Sequence, residues 1–313
     1  MAPYDHHSVR ELLLWCAQNS WLSEHVPQWG FVRRAVKRFM PGEDFDSALK
    51  ASVAFKSLGI GAVFTKLGEN IKAMSDATAA VEHYEMVLKT AAEAGLEPEI
   101  SVKPTQVGLD IDPDATFANL NRLAEAAARA KGFLWIDMEG SAYTDRTIDL
   151  YNRVHSRHPG VGICLQAYLY RTAADAYRML AFKPAIRLVK GAYAEPADRA
   201  FPAKRDVDAN YLALSALMLP DANRGRLRLV LATHDIPLID RIARFADALG
   251  MDRHQLEVHM LYGIQSAQQV KLAAEGYRVK DLIAYGDAWY AWYLRRLAER
   301  PANVMFVARQ MIG

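Results

Sequence analysis

Eight short apolar runs follow one another in this chain after residue 59, and a helix-forming stretch follows each of them. The runs are IGAVFT, EISVKP, FLWIDM, VGICLQAYL, AIRLVKGAY, RLRLVLATHD, QLEVHMLYG and VKDLIAYG. Strands that alternate with helices predict an α/β fold with a parallel sheet. Eight such units in about 240 residues predict closure into a TIM-like (β/α)8 barrel. An open doubly wound sheet is the competing fold, but GIGAVF lacks the third glycine of its G-x-G-x-x-G signature.

Two of the crossover helices carry terminal signals in the sequence. Asp112 and Pro113 have the residue types of an N-cap and a first helical position, and Gly132 is predicted to end that helix. The sequence SAQQ at residues 266–269 has the pattern of a capping box, and Gly276 is predicted to end the helix that it opens.

Residues 1–57 are predicted to form a separate N-terminal helical arm, and residues 58–313 the barrel. Ser8 and Glu11 have the spacing of a capping box that opens a first helix. Farther along, FVRRAVKRFMPGE has apolar side chains on one face of a helix and basic side chains on another. Such a helix can lie on a membrane surface, but packing on the barrel with its charges in water is the preferred interpretation.

Composition narrows the classes of function. The net charge of only +2 gives no electrostatic case for nucleic-acid binding. The two cysteines, Cys16 and Cys164, match no zinc spacing and no HExxH motif occurs, so no metal is expected. Cys164 lies in an apolar run, where a buried thiol is the simplest interpretation. No signal peptide or membrane-spanning run is recognisable, so the sequence predicts a cytoplasmic protein with at most peripheral membrane contact.

Charged side chains within or directly after apolar strands are the strongest sign of a site. In a barrel of this class the chemistry lies at the C-terminal strand ends, and alternate residues of a strand face inward. Lys103 and Asp137 end their strands, and Arg187 interrupts an apolar one. Buried charges must be paired or must bind something. Further polar residues at strand ends are Lys190, Tyr193, Thr233, His234 and Tyr262.

A pair of arginines, Arg295 and Arg296, stands in the last predicted helix, one turn from Glu299. Taken alone, this pattern is typical of a solvated helix face with an i,i+4 salt bridge. Together with Lys103, however, the arginines form a cation set suited to a small carboxylate, because arginine can bind a carboxylate through two hydrogen bonds. No nucleophile is evident, so the chemistry would come from a cofactor.

Six segments in this order resemble the flavin-dependent proline dehydrogenases of the monofunctional bacterial type. They are SVKPTQVG, WIDMEG, RLVKGAYAEP, LATHD, EVHMLYGI and YLRRLAERPANV, and KRFMPGE and KLGEN extend the likeness upstream. The resemblance implies a distorted (β/α)8 barrel with FAD at its C-terminal mouth and the last helix over the barrel. It also implies oxidation of L-proline to 1-pyrroline-5-carboxylate by hydride transfer to flavin N5. The implied partners are a quinone or similar electron acceptor and a pyrroline-5-carboxylate dehydrogenase that receives the product.

The same resemblance assigns roles to individual residues. Asp137, Tyr193 and Arg187 match catalytic positions, with Arg187 near flavin N5 and Asp137 paired with Lys103. The positions that match substrate-binding residues are Lys103, Tyr193, Leu261, Leu282, Tyr285, Trp292, Arg295, Arg296 and Glu299, of which Glu299 orients the arginine pair. The positions that match FAD-contacting residues are Met138, Gln166, Arg187, Lys190, Gly191, Ala192, Thr233 and His234.

Two departures from the family pattern bear on the substrate. Leu282 and Trp292 stand where relatives often carry tyrosine. The alternative is therefore a flavoenzyme of the same family that acts on hydroxyproline or another cyclic or N-alkyl amino acid. A non-catalytic amino-acid-binding barrel without flavin is the least favoured hypothesis, since polar residues for both ligands are present.

Overall fold

Eight parallel strands close into a barrel in chain order, and β8 pairs with β1. The computed structural model describes residues 36–68 and 71–299, and also residues 12, 13, 15–17, 19–26, 29 and 32. The strands are β1 (Ile60–Lys66), β2 (Glu99–Val102), β3 (Phe133–Ile136), β4 (Val161–Gln166), β5 (Ala185–Val189), β6 (Arg228–Ala232), β7 (Glu257–Leu261) and β8 (Arg278–Tyr285). The predicted fold class is confirmed, and each strand lies within or next to its predicted apolar run.

The helices surround the barrel, and the main apolar core fills the space between them and the outer face of the strands. They are α1 (Ser20–His25), α2 (Phe45–Lys56), α3 (Met74–Glu93), α4 (Pro113–Arg129), α5 (Thr144–His155), α6 (Thr172–Met179), α7 (Lys204–Asn223), α8 (Ile236–Ala248), α9 (Ser266–Ala274) and α10 (Trp289–Glu299). None of these helices, within the described residues, is long and apolar enough to cross a membrane.

Helix α4 begins as predicted but ends differently. Asp112 accepts a hydrogen bond from the backbone N–H of Ala115 at 3.0 Å, and Pro113 is the first helical residue. Lys131, with a φ of 52°, takes the left-handed conformation after the helix, and the backbone N–H of Gly132 donates to the Ala127 carbonyl at 2.8 Å. Gly132 is required for another reason, because a Cβ at this position would overlap the carbonyl oxygen of Pro98.

The capping box predicted at the start of α9 is wrong. Gln265 precedes the helix with a φ of 54° and provides no side-chain cap. The Gln269 side chain instead donates to the backbone carbonyls of Leu261 and Ile264, at 3.1 and 3.2 Å, because it is fully buried against the loop that follows β7. Gly276 follows the helix with a φ of 92°, as predicted.

The N-terminal half of the barrel interior is filled by a lower ionic layer, which consists of Glu99, Arg228, Glu257, His259 and Lys280. Arg228 Nη2 donates to Glu99 Oε1 at 2.6 Å and to Glu257 Oε1 at 2.5 Å, and Lys280 Nζ donates to Glu99 Oε1 at 2.7 Å. Although burial alone would raise it, hydrogen bonds from His259 and Arg228 hold the pKa of Glu257 well below its usual value. The buried charges therefore satisfy one another, as charges removed from water must.

The arm packs on α10 through a second apolar cluster, the arm cluster. It joins Val32, Val36, Phe39 and Met40 to Trp289, Tyr290, Trp292, Tyr293, Leu294 and Leu297. The rings of Phe39 and Tyr293 lie 5.8 Å apart, and Trp289 Nε1 donates to Glu43 at 3.0 Å. Lys37 and Arg38 are exposed, so the predicted packing of the apolar face on a neighbouring element is confirmed, with these two charges on the outer surface.

Some predictions for the arm stay untested. Ser8, Glu11, Arg33 and Arg34 lie outside the described residues. The division of the chain after residue 57 also stays a prediction.

Candidate active site

Arg187 is the centre of a buried hydrogen-bonded group in the C-terminal half of the barrel interior. It lies on β5 with 4% of its surface exposed and forms an ion pair with Asp137, which follows β3. Ser101 of β2 links the two, since its Oγ accepts from Arg187 Nη2 at 2.5 Å and donates to Asp137 Oδ1 at 2.7 Å. The Arg187 guanidinium carbon lies 5.1 Å from the ring centroid of Trp135, whose Nε1 donates to Glu99 of the lower ionic layer at 2.7 Å.

Cys164 of β4 belongs to the same group. Its Sγ accepts from Arg187 Nε at 2.9 Å and donates to Asp137 Oδ1 at 3.3 Å. Burial raises the pKa of the thiol to about 12, so it remains protonated at neutral pH. The predicted burial of this thiol is confirmed, but its neighbours include the charged groups of the site as well as apolar side chains.

Helix α10 brings Arg295 over the ring of Tyr193, which follows β5. The guanidinium carbon lies 5.6 Å from the ring centroid, a cation–π distance. Arg296 on the same helix is half-buried, as are Ala192 beside the tyrosine and Lys103 at the end of β2. The last helix and the loop after β5 therefore meet at the barrel mouth.

Two predicted interactions of this cation set stay predictions. The side chain of Glu299 lies outside the described residues, so its orientation of the arginine pair is untested. The pairing of Asp137 with Lys103 is likewise untested, whereas the pairing of Asp137 with Arg187 is direct.

Residues predicted to contact FAD follow the central strands at the mouth. At the end of β4, Gln166 Nε2 donates to the Met138 carbonyl at 3.3 Å. After β6, His234 Nε2 accepts from the backbone N–H of Leu261 at 3.2 Å and so ties this loop to the end of β7. The neighbouring Thr233 is buried.

The loop after β5 is fixed at two further predicted FAD-contacting positions. Lys190 Nζ is held by the carboxylates of Asp208 and, at 2.6 Å, Asp235. Gly191 has a φ of 118°, and a Cβ at this position would overlap the ring of Tyr168. The chain therefore needs glycine here to pass close to that ring.

The structure separates Leu282 from Tyr285, which were both predicted to line the substrate pocket. Leu282 faces the barrel interior and packs near Val63 and Trp135. Tyr285 lies on the outer face of β8, where its hydroxyl bonds with His83 at 2.9 Å. Residues three positions apart on a strand face opposite sides, so the structure places Tyr285 away from the predicted pocket.

Trp292, a third predicted pocket residue, is buried in the arm cluster, and Leu261 borders that cluster. These two residues lie where α10 approaches the end of β7.

The buried polar atoms in this region that have no hydrogen-bond partner among the described residues include Nη1 of Arg187 and Oε1 of Gln166. A buried donor or acceptor that stays unpaired costs about 1–3 kcal/mol, so such atoms point to a ligand with complementary groups. The isoalloxazine ring of a flavin offers acceptors at N5 and O4 and a donor at N3. The residues present therefore fit the expected cofactor.

Ser101, Cys164 and Trp135 were not predicted as members of the site. Strand parity could have identified two of them, because residues two positions apart on a strand face the same side. Cys164 therefore shares a face with Gln166, and Trp135 shares a face with Asp137. The lower ionic layer has no such local signal, since Arg228 and Glu99 are 129 positions apart.

The closed barrel, with cations and a buried arginine at its mouth, defines a (β/α)8-barrel enzyme. Residues 48–309 match the family model described as proline dehydrogenase. Proline dehydrogenase 2 of Bacillus subtilis (strain 168) is 33% identical over 303 residues, which cover 97% of this chain and 98% of that protein. The proline dehydrogenase of Deinococcus radiodurans is 37% identical over 281 residues, which cover 88% of this chain and 89% of that protein. The chain belongs to the proline dehydrogenase family and is an oxidoreductase.

A solved structure gives the same fold. Proline utilization A (PutA) from Bdellovibrio bacteriovorus, inactivated by N-propargylglycine, has a TM-score of 0.81 at 20% identity. The match covers 93% of this chain and 36% of that longer protein. The predicted family, barrel and enzyme class are confirmed, and the non-catalytic hypothesis is not supported.

Proposed function

We propose that this protein oxidises L-proline to 1-pyrroline-5-carboxylate with FAD as its cofactor, the first step of proline breakdown to glutamate. The observation that carries the proposal is the buried Arg187, whose Nη1 amino group has no partner among the described residues. Family membership supports the substrate and the flavin. When bound, FAD supplies a ring nitrogen, N5, that accepts a hydride from the substrate carbon next to the amine.

The side chains at the mouth would divide the remaining work. Arg295, Arg296 and Lys103 would hold the substrate carboxylate, and Tyr193 would support Arg295 through its ring. Anchoring the carboxylate orients the ring of the substrate, which is how a protein lowers the entropic part of a barrier. The same cations would favour the neutral form of the substrate amine, and hydride can leave only from that form.

Purified protein tests this proposal directly. We expect a yellow protein whose flavin absorbance bleaches when proline is added without oxygen and recovers when a quinone is supplied. The product should react with o-aminobenzaldehyde, which traps 1-pyrroline-5-carboxylate. A colourless protein, or a flavin that proline does not bleach, would overturn the proposal.

The proposed function also includes two partners and a location in the cell. We propose that the electrons pass to a quinone or similar acceptor and that a separate pyrroline-5-carboxylate dehydrogenase takes the product. We also propose that the protein resides in the cytoplasm and that the arm touches an anionic membrane surface, where quinones dissolve. Trp15, Trp21 and Trp29 of the arm are 58%, 58% and 47% exposed, and Lys37 and Arg38 are exposed nearby in the sequence. Tryptophan and basic side chains favour the membrane interface.

A second substrate is favoured by Leu282, which faces the barrel interior without the hydroxyl that tyrosine would provide. A pocket that does not need to reject an added hydroxyl typically discriminates by only about 100-fold or less. We expect 4-hydroxyproline to be oxidised alongside proline. Leu282→Tyr should slow hydroxyproline more than proline, as measured by the ratio of the two kcat/KM values in parent and variant. If that ratio does not change, Leu282 does not contact the substrate ring.

A further inference from the structure

The Arg187 guanidinium is held by hydrogen bonds at Nη2 and Nε and by an aromatic ring on one face. Nη2 binds Asp137 and Ser101, Nε binds Cys164, and the ring of Trp135 covers one face of the guanidinium. Only Nη1 has no partner among the described residues. The direction of Nη1 is fixed by the other contacts, because the guanidinium group is planar and rigid.

Cys164 makes the contact that opposes rotation of this plane. Its Sγ receives the Nε–H of Arg187 at 2.9 Å and passes its own hydrogen to Asp137 Oδ1 at 3.3 Å. Asp137 in turn accepts from Arg187 Nη2. The three side chains form a closed ring of hydrogen bonds, in which the thiol is both acceptor and donor.

We propose that Cys164 is a positioning residue that aims Nη1 of Arg187 into the barrel mouth. The proposal rests on the proposed function only in that the flavin is what Nη1 would meet. Serine can fill the same two hydrogen-bonding roles, whereas alanine can fill neither. The protonated state of the thiol, which burial maintains, keeps its hydrogen available to Asp137.

The first test uses the flavin-loaded enzyme with Cys164→Ala and Cys164→Ser, and with Ile163→Val as the matched control. Ile163 is the preceding residue of β4, equally buried but on the opposite face of the strand. We expect Cys164→Ala to shift the equilibrium between oxidised and reduced flavin about 10-fold, which is about 30 mV in midpoint potential for two electrons. Its kcat for proline should fall about 10-fold with little change in KM, because the carboxylate anchors are untouched.

The variants separate positioning from simple packing. Cys164→Ser should stay within about 3-fold of the parent in kcat and in the flavin equilibrium, and Ile163→Val should lower only the melting temperature. A Cys164→Ala enzyme with the parent's potential and kcat would overturn the proposal. So would a Cys164→Ser enzyme that is as impaired as Cys164→Ala.

A second test does not need the flavin. In the apoprotein, Cys164→Ala, Arg187→Met and the double variant form a cycle for the unfolding equilibrium. We expect the unfolding equilibrium constant of the double variant to differ about 5-fold or more from the value that the two single effects predict when multiplied. The reason is that residues in one hydrogen-bonded network couple. Additive effects would overturn the proposal, whereas failure of the parent to bind flavin or oxidise proline would overturn only the proposed function.

Discussion

Single residues at the barrel mouth differ in how directly their surroundings fix them. Arg187 is held by several side chains inside the barrel, and Arg295 lies over the ring of Tyr193 from helix α10. A buried group with several partners has one preferred geometry.

Arg295→Met removes the positive charge and keeps most of the aliphatic part of the side chain. We expect proline binding to weaken by about 2–4 kcal/mol, because a desolvated carboxylate loses a charged partner. Steady-state kinetics should show this as a higher KM, with flavin content unchanged by absorbance. Arg241→Met on α8, an exposed position, is the control. An Arg295→Met enzyme with the parent's KM would contradict carboxylate binding by this residue.

Asp281 of β8 illustrates a residue that weakens the fold. Its side chain is fully buried, and neither carboxyl oxygen has a hydrogen-bond partner among the described residues. Burial raises its pKa from 3.8 to about 8. The unfolded chain therefore releases this proton near pH 4, while the folded chain keeps it until about pH 8. Stability is lost as pH rises between these values.

Asp281→Asn removes this titration and keeps the shape. Between pH 5 and pH 8 the parent should lose about 3–4 kcal/mol of unfolding free energy through this group, since one pKa unit corresponds to about 1.4 kcal/mol. Melting temperatures at the two pH values should differ less in the variant than in the parent. The exposed Asp240→Asn serves as the control. Equal pH dependence in parent and Asp281→Asn would mean that this carboxyl is solvated or paired.

Among the elements, α10 depends on the arm. Two contacts join the arm to this helix. The ring of Phe39 packs on the ring of Tyr293, and the indole N–H of Trp289 donates to the Glu43 carboxylate. The cluster is apolar and buried, so it fixes the helix that carries Arg295 and Arg296. The arm therefore contributes to the site by packing on the helix that carries these two arginines.

Phe39→Ala should loosen α10 by opening a cavity in the arm cluster. We expect the KM for proline to rise several-fold and the flavin spectrum to stay unchanged, because the positions predicted to contact FAD lie on the barrel. Leu150→Ala on α5 is the control, since Leu150 is buried in the main apolar core and does not belong to the arm cluster. Equal effects of the two substitutions on KM would contradict a specific role of the arm cluster in fixing α10.

The elements were predictable to different degrees. Apolar runs mark the strands because a strand buried on both faces has no polar side to show. Cap signals were less reliable. Asp112 caps its helix as its residue type predicts, but Ser266 does not cap α9. In the second case a buried glutamine finds partners in tertiary structure that a local pattern cannot contain. Strand parity placed Lys103, Asp137 and Arg187, yet the partners of Arg187 come from three other strands, and pairing across strands is not written in any one segment.

For the whole molecule, the membrane proposal can be tested with lipid vesicles. The protein should sediment with vesicles that contain anionic lipid, and less so with neutral vesicles or at high salt. Replacing Trp15 and Trp21 with serine should reduce binding about 5-fold or more. Replacing Tyr177 and Phe182, which are 70% and 66% exposed elsewhere, should have little effect. If both pairs reduce binding equally, the arm has no special affinity for the membrane.

The lower ionic layer also bears on how molecules would reach the site. Beneath Arg187, the fully buried indole of Trp135 and the charged groups below it occupy the barrel interior. If substrate binds above Arg187, as proposed, both substrate and product would have to pass the C-terminal mouth of the barrel. Release of the product past α10 would then set an upper limit on turnover.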